Sequence, residues 1–348
     1  MASAFFNMSS PRRILISRTD AIGDVMLTLP MASILRQHFP DARIGFLGKS
    51  YTRAVVECCS AVDEFVDVAD FLHENPRKPE KVWDVIIHVF PRKDIASRAF
   101  RTGIAMRIGT SSRPYHWFRC TKLLKLNRRN SNLHEAQLNT MLLSPLGITH
   151  HYTKAELGAL YSFDKIPPLP DDLAALFQPG KRYVILHAKS QGSAREWGLD
   201  NFIALVGLLP KERFQIFISG TAAEGALLAP LFDAVGDAVT DITGKMDLST
   251  FIAFIAHCDA LLAASTGPLH IAAALGKLAI GIYPPIRPMH AGRWGPLGSN
   301  AIAIHLEKEC SACRDTPQAC SCMRSISAAG IASHIADHLP SVSPDILQ

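Results

Sequence analysis

Short apolar runs rich in β-branched residues recur along the chain, separated by longer stretches with helical apolar spacing. That alternation is the pattern of a parallel sheet with crossover helices. In the first half it predicts strands at 13–17 (RILIS), 43–47 (RIGFL), 65–68, 84–90 (DVIIHVF) and 107–110. Helices are expected at 24–39, 50–59 and 130–146, the last ending at Gly147 as a C-cap. Between 148 and 170 the periodicity weakens, and the IPPLP run at 166–170 cannot continue a helix. A second series follows, with strands at 183–187, 214–219, 260–263 and 278–283 and helices at 200–209, 222–235, 248–257 and 268–275. The expected organisation is an N-terminal domain over residues 1–165 and a C-terminal domain over 166–348, with a return of the C-terminal helix to the first domain as an option. Two Rossmann-like halves of this kind would face each other across a cleft at the strand carboxyl ends, where such sheets bind ligands.

The chain has 348 residues, 48 % hydrophobic and 19 % charged, which excludes a disordered chain and suffices for two cores. Lys and Arg number 36 against 31 Asp and Glu, a formal net charge of +5. So mild an excess fits phosphate-bearing small molecules or an acidic membrane face as well as nucleic acid. The opening MASAFFNMSSPRR has no basic segment ahead of an apolar core and does not read as a secretory signal. The uncharged run 260–276 includes Ser265, Thr266, Gly267, Pro268 and His270, so a strand, loop and helix fits it better than a membrane span. Eight cysteines without an export signal suggest a reducing cytosol. The expected location is cytoplasmic, with peripheral contact at an inner membrane as an option.

Three loops carry candidate chemistry. The first strand runs into RTDAIGDVMLTLP, where Gly23 lets a ligand approach the backbone and Asp24 opens a helix. Aspartate is a preferred N-cap, and that reading competes with a carboxylate that accepts a proton from a hydroxyl. Asp20 is a second carboxylate that could bond a polar ligand. The glycine spacing is not that of dinucleotide sites, which disfavours a dehydrogenase. The second loop, AKSQGSAREW, follows a strand and offers Lys189, Ser190 and Arg195 around free amides, either a phosphate cradle or an ordinary solvated loop. Glu224, just past the strand FQIFIS, could hold a ribose or merely favour a helix dipole. In the third loop Ser265, Thr266 and Gly267 turn into a helix started by Pro268, an anion site made of amides. His270, one turn on, could face that anion or pack against the strand.

Taken together, RTDAIGDVMLTLP, HAKSQGSAREW, the GTAAE turn, ITGKMDLSTFIAFIAHCDALLAASTGPLHIAAALG and IYPP closely resemble glycosyltransferase family 9, the heptosyltransferases of the lipopolysaccharide inner core. These stretches run in order from residue 12 to beyond residue 280. The resemblance implies a GT-B fold, with an acceptor on the N-terminal half and a nucleotide-sugar, ADP-linked, on the other. It implies inverting, metal-independent transfer with Asp24 as general base and Asp20 and Gly23 on the acceptor side. It puts Arg195 at the diphosphate, standing where the best-known members carry Lys, and so adds to the reading of Lys189 and Ser190 as donor-binding residues of the same loop. Glu224 falls at the ribose, Met246 near the base, and Thr266, Gly267 and His270 at the phosphate. The family usually has Asp before the TG pair, against the donor sugar, and this chain has Ser265. A shorter, neutral hydroxyl satisfies fewer sugar hydroxyls, which predicts weaker selectivity for ADP-heptose.

Two further features stand outside those loops. Cys310, Cys313, Cys320 and Cys322 form a CxxC and a CxC that could supply four thiolates to Zn²⁺, but the short spacing favours plain thiols and no metal. Basic residues crowd the stretch 92–129, with Asp94 the only acid and Tyr115, Trp117 and Phe118 interleaved. That is either a solvated face or a surface for phosphorylated lipid headgroups; no nucleic-acid motif accompanies it. Two rival functions remain: a sugar-nucleotide epimerase of GT-B type, which turns over donor without acceptor, and a non-catalytic binding protein for nucleotide-sugars or glycolipids.

Overall fold

The computed structural model describes residues 11–75, 82–128, 130–190, 192, 194–308, 310 and 320–342. The chain divides into two compact units, one formed by residues 1–131 and 135–162, the other by residues 132–134 and 163–348. In the first, the strands are β1 (Arg13–Ser17), β2 (Arg43–Gly48), β3 (Glu64–Asp67), β4 (Val85–His88), β5 (Met106–Thr110) and β6 (Lys122–Leu124). They form one sheet in the order β3-β2-β1-β4-β5-β6, parallel at every pairing. The second unit contributes β7 (Arg182–His187), β8 (Phe214–Ile218), β9 (Val239–Asp241), β10 (Ala260–Ala264), β11 (Leu278–Ile282) and β12 (Ala301–Ile304). Their order, β12-β11-β10-β7-β8-β9, repeats the first sheet's topology, and again every pairing is parallel.

The central strands are apolar throughout because helices cover both faces. Ile14, Leu15 and Ile16 of β1 are fully buried, as are Val85, Ile86 and Ile87 of β4 and Leu261, Leu262 and Ala263 of β10. The order reverses between β1 and β4 in one sheet and between β7 and β10 in the other. The carboxyl ends flanking such a switch point are where open α/β sheets bind ligands.

Two helices expected as single elements are each broken. The stretch 24–39 folds as Ile22–Met26 and Pro30–His38, because Pro30 has no N–H for the Met26 carbonyl. The stretch 222–235 splits into Ala222–Leu227 and Ala229–Val235 on either side of the turn that leads into Pro230. Within 130–146 only Glu135–Thr140 is α-helical; Met141–Leu146 tightens to a 3₁₀ turn and ends at Gly147, whose φ of 86° only glycine adopts at little cost. The last helix, Ala328–His338, packs along Leu199–Leu208 in the second unit, and Arg213 donates to the Ala336 carbonyl at 2.8 Å. None of the helices among the described residues is long and apolar enough to cross a membrane.

Candidate functional site

At the switch point of the first sheet, β1 ends at Ser17 and the next residue, Arg18, is buried. Its guanidinium is divided among three carboxylates. Nε donates to Asp20 Oδ1 at 2.7 Å, one Nη to Asp24 Oδ1, and the other Nη to Glu135 Oε1 at 3.1 Å. Arg128 donates to the same Glu135 oxygen and, at 3.1 Å, to Asn139 Oδ1. The Asn139 amide closes the ring by donating to the Leu27 carbonyl at 3.1 Å and to Thr28 Oγ1 at 3.2 Å. Asp24 occupies the third position of the helix Ile22–Met26, one residue after Gly23, and the N-cap is Ala21 with no side-chain bond. Asp24 is therefore no cap; its carboxylate is turned onto Arg18.

Two guanidinium groups face three carboxylates, which leaves one surplus negative charge. Burial raises the Asp24 carboxyl most, Arg18 pulls it down, and the charges of Asp20 and Glu135 push it up again. The balance is a pKa of about 6, against 3.8 for an ordinary aspartate. Asp20 is also raised, chiefly by burial. A carboxyl near 6 is ionised at pH 7 and still basic enough to take a proton from a reacting hydroxyl. Beside Ser17 in the sheet register lies His88, the last residue of β4. Burial first, then His116 and Arg107, hold its pKa at about 3, so the ring is neutral and a far weaker base.

In the second unit, β7 leads into the loop that carries Lys189, Ser190 and Arg195. Lys189 Nζ donates to Glu196 Oε2 at 2.9 Å, and the Ser190 amide donates to Glu196 Oε1 at 3.3 Å. The loop is thus closed by Glu196, and Arg195 within it is buried. Past β8, Thr221 and Glu224 form a capping box: Thr221 Oγ1 accepts from the Glu224 amide at 3.2 Å and Glu224 Oε2 from the Thr221 amide at 2.8 Å. A methyl group on Gly220 would lie 3.3 Å from that Oε2, a tight contact. The box uses one carboxylate oxygen and leaves Oε1 for another partner. Met246 is half-buried in the turn before the helix Leu248–His257, which Asp247 caps through the Thr250 amide at 2.8 Å.

β10 runs straight into Ser265, with Thr266 as N-cap of the helix Gly267–Ala274. The Thr266 hydroxyl is buried and meets no partner among the described residues. Pro268, at the second helical position, has no N–H, so the amides of Gly267 and Leu269 are the donors of this turn. His270 is 2 % exposed, and burial first, then His134, pushes its pKa to about 3. Its imidazole is neutral, and Nδ1 has no partner among the described residues. It can therefore exchange a hydrogen bond with a ligand but brings no charge. The Ser265 side chain bonds the buried Tyr283 hydroxyl, which itself donates to the Trp294 carbonyl at 2.7 Å.

Sequence reasoning missed Arg18, Arg128, Glu135 and Asn139 around Asp24, and Glu196 and Tyr283 in the second unit. Arg18 opens RTDAIGD, where a cation close to two aspartates is the available signal; nothing local ties Glu135 to it. Of the cysteine cluster, Cys320 and Cys322 are buried in the second core and Cys322 hydrogen-bonds Cys310, while Cys313 lies outside the described residues. No group of three or more metal-ligating side chains occurs among the described residues.

Residues 98–324 match the family model of glycosyltransferase family 9 (heptosyltransferase). Lipooligosaccharide heptosyltransferase 2 of Campylobacter jejuni is 23 % identical over 309 residues, covering 86 % of this chain and 89 % of that protein. A family 9 glycosyl transferase from Veillonella parvula superposes with a TM-score of 0.76 at 17 % identity, over 94 % of this chain and 97 % of its own. The ADP-heptose lipopolysaccharide heptosyltransferase II of Escherichia coli does so with a TM-score of 0.71 at 16 % identity, over 94 % and 98 %. These structural likenesses establish the GT-B fold, and the family match spans well over half of the sequence. The chain belongs to glycosyltransferase family 9, the heptosyltransferase family.

Proposed function

We propose that this glycosyltransferase moves heptose, or a closely related sugar, from an ADP-linked donor to a lipopolysaccharide-core acceptor, inverting the anomeric carbon, with Asp24 as general base. The observation that carries the reading is the Asp24 carboxyl, tied to a buried arginine and raised to about 6. The names of the Campylobacter and Escherichia relatives supply the sugar, nucleotide and acceptor class. Asp20 and Gly23, in the same loop, lie on the acceptor side.

In this reading Asp24 takes the proton from the acceptor hydroxyl as its oxygen attacks the anomeric carbon. The bond to the nucleoside diphosphate breaks on the opposite face, and its electron pair leaves with the phosphate. Lys189, Ser190, Arg195 and the amides that follow Thr266 stabilise that leaving charge, so no metal is required of the mechanism. Losing one preorganised donor of this kind typically costs about 10²–10³ in rate. His270, held neutral, bonds a phosphate oxygen, Glu224 Oε1 takes ribose hydroxyls, Met246 packs near the base and Ser265 meets the sugar. The acceptor is lipid-borne, so the enzyme works against an anionic membrane from the cytoplasm.

Measuring ADP release from ADP-heptose with and without a heptose-deficient core acceptor tests the reading. Release that requires acceptor, with one heptose gained per ADP and an inverted anomeric proton signal, is the expected result. Donor consumption without acceptor would indicate an epimerase or hydrolase, and binding without release a non-catalytic carrier; either outcome overturns the proposal.

A further inference from the structure

At the β6 edge of the first sheet the surface is both basic and apolar. The helix Pro114–Arg119 joins β5 to β6 and packs on the helix Lys93–Arg101. From these three neighbouring elements Phe118 is 73 % exposed, Trp117 58 %, Phe100 46 % and Leu123 41 %. Large apolar side chains so exposed, and so close in the fold, are unusual unless something covers them. Trp117 is held in place, its Nε1 donating to the Ser111 carbonyl at 2.8 Å. The guanidinium groups of Arg119 and Arg107 stand 5.1 Å and 5.5 Å from the Phe100 ring centroid.

The charge around these side chains is one-sided. Between residues 92 and 128 there are ten basic residues and one acid, Asp94, an excess larger than the +5 of the whole chain. Asp94 is bonded to Arg92, while Arg98 and Arg128 are paired inside the fold with Glu74 and Glu135. Lys93, Arg101, Arg113, Lys122 and Lys125 are exposed, and no ion pair involves them among the described residues.

We infer that this corner, centred on Phe118, Trp117, Lys122 and Lys125, docks the enzyme onto a phospholipid bilayer with anionic headgroups. Tryptophan and phenylalanine settle at the boundary between headgroups and acyl chains, and lysines beside them pair with anionic lipid. Each lysine near such a surface contributes about a fivefold gain in affinity. Nucleic acid fits less well: Leu123 has no π face on which a base can stack, and the Trp117 indole edge is tied to Ser111. The use of such docking, presenting the catalytic unit to a lipid-borne acceptor, rests on the proposed function; the docking itself does not.

Cosedimentation of the purified full chain with phosphatidylcholine vesicles, with and without phosphatidylglycerol, tests the inference. Binding at least tenfold tighter to the phosphatidylglycerol vesicles is expected. Lys122→Gln with Lys125→Gln should weaken it about 25-fold, the product of two fivefold losses. Phe118→Ser should remove the part of the binding that survives high salt, since only the electrostatic part is screened. All three residues are exposed, and unchanged melting temperatures would show that the variants remain folded. Both variants should keep wild-type turnover on a water-soluble core fragment. Equal or absent binding to the two vesicle types, or variants that bind like wild type, would overturn the inference. So would a single-stranded RNA that binds tighter than the vesicles at equal salt and loses affinity in the same variants. Because sedimentation needs no turnover, failure of the proposed reaction and failure of the docking surface are read separately.

Discussion

As the proposed base, Asp24 should give the reaction an acid limb whose position follows from the cluster around it. With a pKa of about 6, roughly nine-tenths of the carboxyl is ionised at pH 7 and roughly one-tenth at pH 5. kcat/KM, which reports the free enzyme, should therefore fall about tenfold between those values. An aspartate at the ordinary 3.8 would lose almost nothing over the same interval. Asp24→Asn should lower kcat/KM by about 10²–10⁴, the usual contribution of a positioned base, and flatten the limb. Asp20→Asn removes one of the negative charges that raise Asp24, so the limb should move toward lower pH while staying above the ordinary aspartate value, because burial remains. Glu135→Gln should act in the same direction. The assay is the initial rate of nucleoside diphosphate release at low substrate, followed in overlapping buffers. A wild-type limb near 4, a limb that survives in Asp24→Asn, or a limb that rises in Asp20→Asn would each refute the reasoning.

The same shift has a stability counterpart. The folded carboxyl holds its proton up to about 6 and the unfolded one only to 3.8, so this group favours folding below about pH 4 and that contribution is lost as pH rises through 6. In urea titrations wild type should lose up to ~3 kcal/mol relative to Asp24→Asn across that window; a gap independent of pH would contradict it. Arg195→Ala should weaken nucleoside diphosphate binding far more than nucleoside binding, since only the former offers oxygens to the guanidinium. Equal losses would remove Arg195 from the phosphates, and a strict need for added Mg²⁺ after EDTA treatment would refute metal-independent transfer. Ser265→Asp should improve use of ADP-heptose while costing about 1 kcal/mol in thermal unfolding, because the serine's bond to the Tyr283 hydroxyl is lost. Efficient use of ADP-heptose by wild type together with impairment in the variant would show that serine is an adaptation to that same donor.

The central strands were legible because burial on both faces leaves runs such as RILIS, DVIIHVF and YVILH with little but apolar residues. β6, β9 and β12 were not: they are three- or four-residue edges with half-exposed faces, too short for any period to register. Pro30 and Pro230 interrupt stretches whose apolar spacing runs on through both, because spacing carries no trace of a missing N–H donor. The three candidate loops do follow the ends of β1, β7 and β10, since loop position is a local property that follows once the strands are known. What surrounds each candidate was not local. Lys189 reads as a lone cation for phosphate, and in the fold it also donates to Glu196, seven residues later.

The Asp24 cluster carries that limit furthest. Spacing alone made Asp24 an N-cap, because Asp before a helical run is most often one. Only the buried arginine distinguishes the two roles, and its other carboxylate, Glu135, is 117 residues away in sequence. The two partners act on Asp24 in opposite directions: Glu135 raises it. Arg18 by itself would lower it, and an exposed carboxylate beside two others would be screened by water. Burial contributes most to the raised value, and the charges of Asp20 and Glu135 add to it against the pull of Arg18. It is therefore a property of the folded switch point. Without Glu135 the aspartate of RTDAIGD would keep the rise that burial gives it and lose only the share that this distant carboxylate adds.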